Sequence, residues 1–195
     1  MKVQIYVRLD ECDLNGKVIR KGRYKKANSL VQAFMAYLAA SHITGSVTNV
    51  PDTSNTNRTL NFAVNPLSWW GGTGGKAVGG ITAYGIVAGI GTNAVAITNY
   101  SLQTLIAHGT GAGQLTYGAM VETSSWTVSG SASFFEATRT LINNSAGNIT
   151  IEEIGFIVNL SSTTHRFLWD RTLTGGYTVN VGAGVIINYK WQISV

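Results

Sequence analysis

The sequence contains few charged residues: Asp, Glu, Lys and Arg make up 12% of its 195 residues, about half the share that is usual in soluble proteins. Cytosolic enzymes seldom have so little charge. An all-β protein that buries much of its surface against copies of itself often does, because contact between subunits replaces charged surface. The composition therefore favours an assembling protein over a soluble enzyme.

Cysteine and long apolar runs are also scarce. Cys12 is the single cysteine, which excludes an intrachain disulfide and a cysteine-based metal cluster. No apolar run reaches about 18 residues without a polar break, so we expect no membrane-spanning helix. The chain begins with the alternating stretch MKVQIYVRLDE rather than a basic and apolar leader, so we expect no export by a signal peptide.

The net positive charge lies wholly in the N-terminal segment. Residues 1–26 contain eight of the 14 Lys and Arg residues but three of the nine Asp and Glu residues, which leaves six of each elsewhere. Within this segment one basic run contains no acid: Lys17, Arg20, Lys21, Arg23, Lys25 and Lys26. We predict that this run docks on an acidic protein surface, with nucleic acid as a less favoured partner. Alternatively, the cations protect a solvated hairpin edge against unwanted strand pairing.

The first 24 residues have the pattern of a β-hairpin. Apolar and polar residues alternate over Lys2–Leu9, as they do in a half-buried strand. The sequence DLNG at residues 13–16 supplies a turn, and Lys17–Tyr24 provides the returning strand.

One helix follows, which we predict from Asn28 to Ser41 with Asn28 or Ser29 as its N-cap. Apolar residues recur there at spacings of three and four: Leu30, Val31, Phe34, Tyr37 and Leu38. Alanine rather than charge surrounds this stripe, so we expect the helix to pack on a sheet or against another subunit. We assign Phe34, Tyr37 and Leu38 to a subunit interface.

The whole chain contains about eight to ten predicted strands against one helix. We therefore predict a mainly β protein, an antiparallel and jelly-roll-like β-sandwich with one N-terminal α-helix. The predicted divisions are residues 1–45 for the basic hairpin and helix, 46–80 for a polar and glycine-rich connection, and 81–195 for the sandwich core.

The stretch Ser131–Thr172 organises this prediction. Runs rich in Phe, Thr and Ile flank a turn-forming cluster at Asn143–Asn148, which predicts a β-meander of strand, turn, strand, loop and strand. In the second strand Ile154, Phe156 and Val158 form one apolar row. Both faces of the predicted hairpin carry apolar residues, so we expect one to contact the chain's own core and the other a second sheet, the helix or a neighbouring subunit. Of these, we assign this row to a subunit interface.

The glycine-rich segments do not match nucleotide-binding loops. Trp70 stands where a P-loop needs glycine, and Ala77 stands where it needs Ser or Thr. The sequence Gly89-Ile90-Gly91 is not followed by a helix, as a dinucleotide-binding unit requires. We predict structural turns at both places and no cofactor.

The titratable residues form no catalytic or metal-binding pattern. The three histidines are far apart in sequence: His42, His108 and His165. Glu152 and Glu153 are neighbours on a predicted strand and therefore point to opposite faces. The predicted hairpin leaves open a meeting of Glu136 with Glu153. We predict a protein that is not an enzyme.

The five tryptophans support an alternative interpretation. Aromatic rings stack on sugars, and Trp69-Trp70 precedes glycine loops that would expose it. This pair is the candidate glycan contact of a host-surface binding module, although packing is the favoured role of the tryptophans. Asp170-Arg171 is expected to form an ion pair or hydrogen bonds that fix a strand end.

The C-terminal part of the chain combines four distinctive stretches: GIVAGIGTNAVAITNYSLQTLIAHGTGAGQLTYG, FFEATRTLINNSAGNITIEEIGFIV, FLWDRT and YTVNVGAGVIINYKWQISV. Together they cover roughly residues 80–195 and resemble small β-rich virion proteins of tailed bacteriophages. The most distinctive feature is NNSAGNITIEEIGF followed by FLWDRT and a glycine turn before the last strand. The resemblance is a pattern of strands and turns and contains no active-site signature.

The resemblance implies a non-enzymatic component of a phage particle, made in the host cytoplasm and located in the virion. Such a protein decorates a capsid, lines a tail or neck, or forms part of a fibre. Its expected partners are copies of itself and other virion proteins. Release by lysis would remove the need for a signal peptide.

Overall fold

The alternating sequence patterns form strands in the computed structural model, which describes residues 2–27, 29–40, 45–61, 74–122, 127–159 and 165–194. These residues contain thirteen strands and one helix. In chain order the elements are β1 (Lys2–Cys12), β2 (Val18–Arg20), β3 (Lys25–Lys26), β4 (Ser29–Leu30), α1 (Gln32–Ala39), β5 (Ser46–Pro51), β6 (Asn57–Asn61), β7 (Gly85–Gly89), β8 (Thr116–Glu122), β9 (Thr127–Ser129), β10 (Ala132–Ile142), β11 (Ile149–Asn159), β12 (Arg166–Val179) and β13 (Gly184–Ser194).

Two antiparallel sheets form the sandwich. The seven-stranded sheet has the order β2-β1-β13-β10-β8, with β3 also paired to β1 and β9 also paired to β10. The four-stranded sheet has the order β4-β12-β11-β7, and β5 and β6 form a separate pair. The predicted mainly β, antiparallel sandwich with one helix is confirmed. Since β1 pairs with β13 along its whole length, residues 1–45 and 81–195 contribute to one sheet.

The two sheets share one folded ribbon. β10 pairs with β13 along its whole length, and β11 pairs with β12 in the other sheet. The chain crosses between the sheets at residues 143–148 and crosses back at residues 180–183. A long antiparallel ribbon therefore bends so that each sheet contains one half of it, which gives the sandwich its jelly-roll-like topology.

The predicted β-meander within Ser131–Thr172 is wrong at its first turn. Asn143–Asn148 does join two strands, but β10 and β11 lie in opposite sheets and do not pair with each other. Only β11 and β12 are paired neighbours within this stretch. The turn residues indicate where the chain bends, whereas the partners of each strand depend on residues distant in sequence.

Asn143 fastens the first bend of the ribbon. Its side chain is buried, and its amide nitrogen donates to the carbonyl oxygens of Gly147 and Val179, each at 2.9 Å. Its amide oxygen accepts hydrogen bonds from the backbone N–H and the hydroxyl of Ser145 at 3.1 and 2.7 Å. Its own N–H donates to Ala183 at 2.9 Å. One residue thus connects the bend to both strands of the ribbon.

Asn143→Ala is expected to lower the free energy of unfolding by about 3 kcal/mol, because it leaves buried carbonyl and N–H groups without partners. Urea unfolding measures this loss. Asn144→Ala is the matched control, since the neighbouring side chain is exposed and should cost no more than about 0.5 kcal/mol. Equal losses in the two variants would contradict the role of Asn143.

The core lies between the sheets and is rich in aromatic rings. The ring of Phe156 in β11 lies 6.4 Å from Trp169, 5.8 Å from Tyr189 and 4.9 Å from Trp191, measured between centroids. Phe135 of β10 stacks on Trp191 at 5.0 Å. The strands of both sheets are therefore joined by direct side-chain packing.

The row Ile154, Phe156 and Val158 belongs to this core, with 0% exposure at each residue. Side chains inside the protein's own sandwich present no surface to a second copy, so their assignment to a subunit interface is corrected. The other face of β11 is also covered, because Gly155 lies against Leu102 of a loop. Two covered faces explain why the strand looked in sequence like part of an interface.

The helix is shorter than predicted. α1 begins after Val31, which makes no side-chain capping bond. The two residues before Val31 form β4, which pairs with β12, and Asn28 lies outside the described residues. Pairing with β12 supplies hydrogen bonds to the backbone N–H and C=O groups that an additional helical turn would otherwise have bonded.

The apolar stripe of the helix packs on the protein's own sheet. Phe34 and Tyr37 contact Trp169, with ring centroids at 5.3 and 4.9 Å, and both are buried. Their assignment to a subunit interface is therefore corrected. Leu38 is half-buried against the same core.

Candidate functional site: a basic cleft at the edge of the sandwich

A cleft of about 370 Å³ lies where β2 and β3 run beside β12. Its floor is mainly apolar and comes from both sheets: Val7, Leu9, Ile154, Thr172, Leu173, Thr174 and Tyr177. Its rim is cationic: Arg20, Lys21, Arg23, Lys25 and Lys26. We call this site the basic cleft.

Two short strands with an interruption between them bring the cations to the rim. β2 and β3 both pair with β1, and residues 21–24 lie between them. Gly22 packs so closely on β1 that an added Cβ would overlap the carbonyl oxygen of Leu9. The N–H of Gly22 donates to Asp10 at 2.8 Å. β4 then pairs with β12, so the chain passes from one sheet to the other beside the cleft.

Tyr24 anchors the same segment on the outer face of the seven-stranded sheet. Its hydroxyl donates a hydrogen bond to Glu136 at 2.7 Å, and the guanidinium of Arg8 lies 4.5 Å from its ring centroid. Burial and then the bond to Glu136 raise the pKa of Tyr24 above its ordinary value, so the hydroxyl stays a donor at neutral pH. The meeting of Glu136 with Glu153 that the sequence left open does not occur: Glu136 faces Tyr24, and Glu153 lies in the other sheet.

The exposed charged side chains among the described residues are all cations. All nine acidic residues fall in the described ranges, and each of them is buried or half-buried. Of the cations whose side chains are described, seven are exposed, and six of these form the predicted basic run. Glu11 is the acid among the described lining residues, and it pairs with Arg20 at 3.1 Å. The rim therefore carries excess positive charge.

Five of the six predicted docking residues lie together around the cleft. Lys17 is exposed but is not among the lining residues. No sequence signal predicts the floor, because Ile154 and Tyr177 come from the opposite sheet and no local pattern connects them with the N-terminal segment. The alternation of β1 does place Val7 and Leu9 on its inward face. The docking role itself stays a prediction.

A second polar cluster lies at the loop of residues 90–106. Arg171 donates to Glu153 at 2.6 Å, and the two side chains are 2% and 0% exposed. The backbone N–H groups of Gly91, Gln103 and Thr104 donate to the same carboxylate at 3.1, 3.2 and 2.9 Å. With four donors around it, Glu153 fastens this loop to the four-stranded sheet.

Glycine is required beside this carboxylate. A Cβ at Gly89 or Gly91 would lie 2.6 or 2.5 Å from the Oε1 atom of Glu153, closer than van der Waals contact permits. The GIG sequence is thus explained by close approach to a buried side chain. Arg171 pairs with Glu153 and not with Asp170, since adjacent strand residues point to opposite faces.

Asp170 is a carboxyl group in the core, with 0% exposure. It accepts hydrogen bonds from the hydroxyls of Thr172 and Tyr189, each at 3.0 Å. Burial raises the pKa of Asp170 to about 7, although these two bonds act to lower it. The carboxyl group therefore titrates near neutral pH, which makes the stability of the fold depend on pH.

The remaining predicted candidates lie elsewhere. His108 is exposed and accepts a hydrogen bond from the N–H of Tyr117 at 3.1 Å. His42, Trp69 and Trp70 lie outside the described residues, so the glycan-contact prediction stays a prediction. Within the described ranges, no three His, Cys, Asp or Glu side chains are grouped so that they would hold a metal ion.

Comparisons with known proteins assign no family to the chain. No family model, curated protein or solved structure matches it. In the part of the chain that the structure describes, no helix has the length and apolar character needed to cross a membrane. The fold and the basic cleft are therefore the observations from which a function can be argued.

Proposed function

We propose that this protein is a non-enzymatic structural protein of a bacteriophage virion, which self-assembles or decorates the particle through contacts of its β-sandwich. The observation that carries the proposal is the basic cleft, an apolar floor with a cationic rim on a scaffold of long paired strands. Such a surface suits docking on another macromolecule, because apolar contact stabilises a complex and complementary charge orients it. The resemblance of residues 80–195 to virion proteins of tailed phages supports the same conclusion.

Contact between copies is better placed at the other edge of the seven-stranded sheet than at the rows assigned from sequence. There β8 and β9 pair with β10, and they expose Val121 and Val128 to 65% and 75%. Val121 lies opposite Thr138 and Val128 opposite Ser133, so the two valines expose separate apolar positions along this edge. Exposed apolar side chains at a sheet edge are suited to burial between subunits. This edge and the basic cleft lie at opposite edges of the seven-stranded sheet, so one copy has two distinct docking surfaces.

The purified protein is expected to form regular oligomers, visible as rings, tubes or shells in negative-stain images and measurable as mass by light scattering. The double variant Val121→Asp and Val128→Asp is expected to reduce that mass at least twofold, because two unpaired carboxylates would be buried in the contact.

Val181→Asp is the control, since Val181 is also exposed, at 51%, but lies at the second bend of the ribbon. It should leave the mass unchanged. A monomer at every concentration tested would contradict self-assembly, and an equal loss of mass in the control would contradict the placement of the contact at β8 and β9.

A further inference from the structure

The chemistry of the basic cleft defines the partner that fits it. We infer that the cleft binds an acidic segment of a different protein, in which acidic side chains are interspersed with apolar ones. The inference rests on the proposed function and deepens it by naming the partner's chemistry.

Charge complementarity makes the partner acidic. Glu11 is already paired with Arg20 at 3.1 Å. None of the ion pairs among the described residues engages the other rim cations: Lys21, Arg23, Lys25 and Lys26. Carboxylates placed at this rim would form charge-assisted hydrogen bonds, whereas a cationic surface would be repelled.

A second copy of this chain does not supply those carboxylates. Each of its nine acidic residues is buried or half-buried, and the most buried of them have partners within the fold. Asp52 pairs with Arg58 at 2.8 Å, and Glu153 pairs with Arg171 at 2.6 Å. The occupant of the cleft is therefore a different molecule, even where copies of the chain contact each other elsewhere.

The floor of the cleft favours a peptide over a nucleic acid. Leu9, Leu173 and Tyr177 are half-buried lining residues, so the cleft offers apolar surface that carboxylates alone would not contact. A volume of about 370 Å³ has room for a few side chains. Nucleic acids bind through phosphate contacts and through stacking of bases on aromatic rings. Among the described residues that line the cleft, Tyr177 is the one aromatic ring, so the cleft offers little surface for base stacking.

Fluorescence anisotropy tests the inference with a labelled peptide of about eight residues, the length of a typical strand, in which glutamate and valine alternate. The wild-type protein is expected to bind this peptide. The double variant Lys21→Glu and Lys26→Glu is expected to weaken binding about tenfold or more, because two rim contacts become repulsive.

Matched controls distinguish an effect of the cleft residues from an effect of the protein's net charge. Lys17→Glu with Lys76→Glu makes the same change in charge at two exposed residues that do not line the cleft, and it should alter affinity by less than about twofold. A second peptide, in which serine replaces valine, keeps every carboxylate and needs no change to the protein. It should bind at least about fivefold more weakly, because it has no apolar group for the floor.

Three results would overturn the inference: equal weakening by the two double variants, equal affinity for the serine peptide, or tighter binding of an oligothymidylate of about twelve nucleotides. The last result would assign the cleft to nucleic acid. Light scattering on the same samples reports on self-assembly separately. Assembly without peptide binding would overturn this inference alone, whereas peptide binding by a protein that never assembles would overturn self-assembly alone.

Discussion

Replacing Glu153 with alanine is expected to lower the free energy of unfolding by about 4 kcal/mol, since removing one member of a buried ion pair costs about 3–5 kcal/mol. The substitution leaves the guanidinium of Arg171, which is 2% exposed, without its partner at 2.6 Å. The backbone N–H groups of Gly91, Gln103 and Thr104 lose their acceptor at the same time. Urea unfolding followed by tryptophan fluorescence measures the change, because Trp169 lies in the adjoining core.

Glu152→Ala is the control for this prediction. Glu152 is the neighbouring carboxylate on the same strand but is half-buried, so its removal should cost no more than about 0.5 kcal/mol. Arg171→Met should destabilise the protein less than Glu153→Ala, because the carboxylate keeps its three backbone donors. If Glu152→Ala and Glu153→Ala were equally destabilising, Glu153 would not be the residue that fastens the loop.

The strands that are easiest to predict are those with one inward and one outward face. In β1, Ile5 and Val7 are each 4% exposed, while Tyr6 between them is half-buried, as alternation requires. β11 is harder, because the opposite sheet covers Phe156 and a loop covers Ile157 and Glu153. Sequence periodicity shows that a face is apolar but does not show which segment covers it.

Residues 29 and 30 show how tertiary pairing overrides a helical pattern. Their spacing relative to Phe34 and Tyr37 predicts one continuous helix, yet Leu30 pairs with Asp170 across β4 and β12. The free energy lost with one helical turn is small compared with the stabilisation from the backbone hydrogen bonds and packing that replace it. Phe34 and Tyr37 still reach Trp169, because the remaining turns keep their three- and four-residue spacing.

The rim of the basic cleft is predictable from sequence, whereas its floor is not. The rim cations fall within Arg20–Lys26, so their common position follows from chain connectivity. Leu173 and Tyr177 reach the same cleft only because the two sheets pack together. The burial of the acids is equally hard to predict, since the sequence around Glu153 does not distinguish it from an ordinary surface charge.

Asp170→Asn is expected to stabilise the protein at neutral pH and above, while leaving its stability near pH 4 almost unchanged. Burial raises the folded-state pKa of Asp170 to about 7, against an ordinary value of 3.8. The stability contributed by the protonated group is complete below the unfolded-state pKa and is lost as pH rises through the folded-state pKa. At about 1.4 kcal/mol per unit, this loss amounts to about 4 kcal/mol. Asparagine does not ionise and therefore avoids it, which urea unfolding across this pH range would measure.

Asp52→Asn is the control with the opposite sign. Burial raises the pKa of Asp52, but hydrogen bonds from Arg58 and from the N–H groups of Thr56 and Ser54 outweigh it, so the pKa lies below its ordinary value. The ionised group stabilises the fold above the unfolded-state pKa, and this stability is lost as pH falls through the folded-state pKa. Asp52→Asn should therefore destabilise the protein at neutral pH and have little effect in acid. If Asp170→Asn and the wild type instead had parallel stability profiles from about pH 4 to pH 8, Asp170 would ionise in the core as readily as in the unfolded chain, and the pH dependence would have to arise from another group.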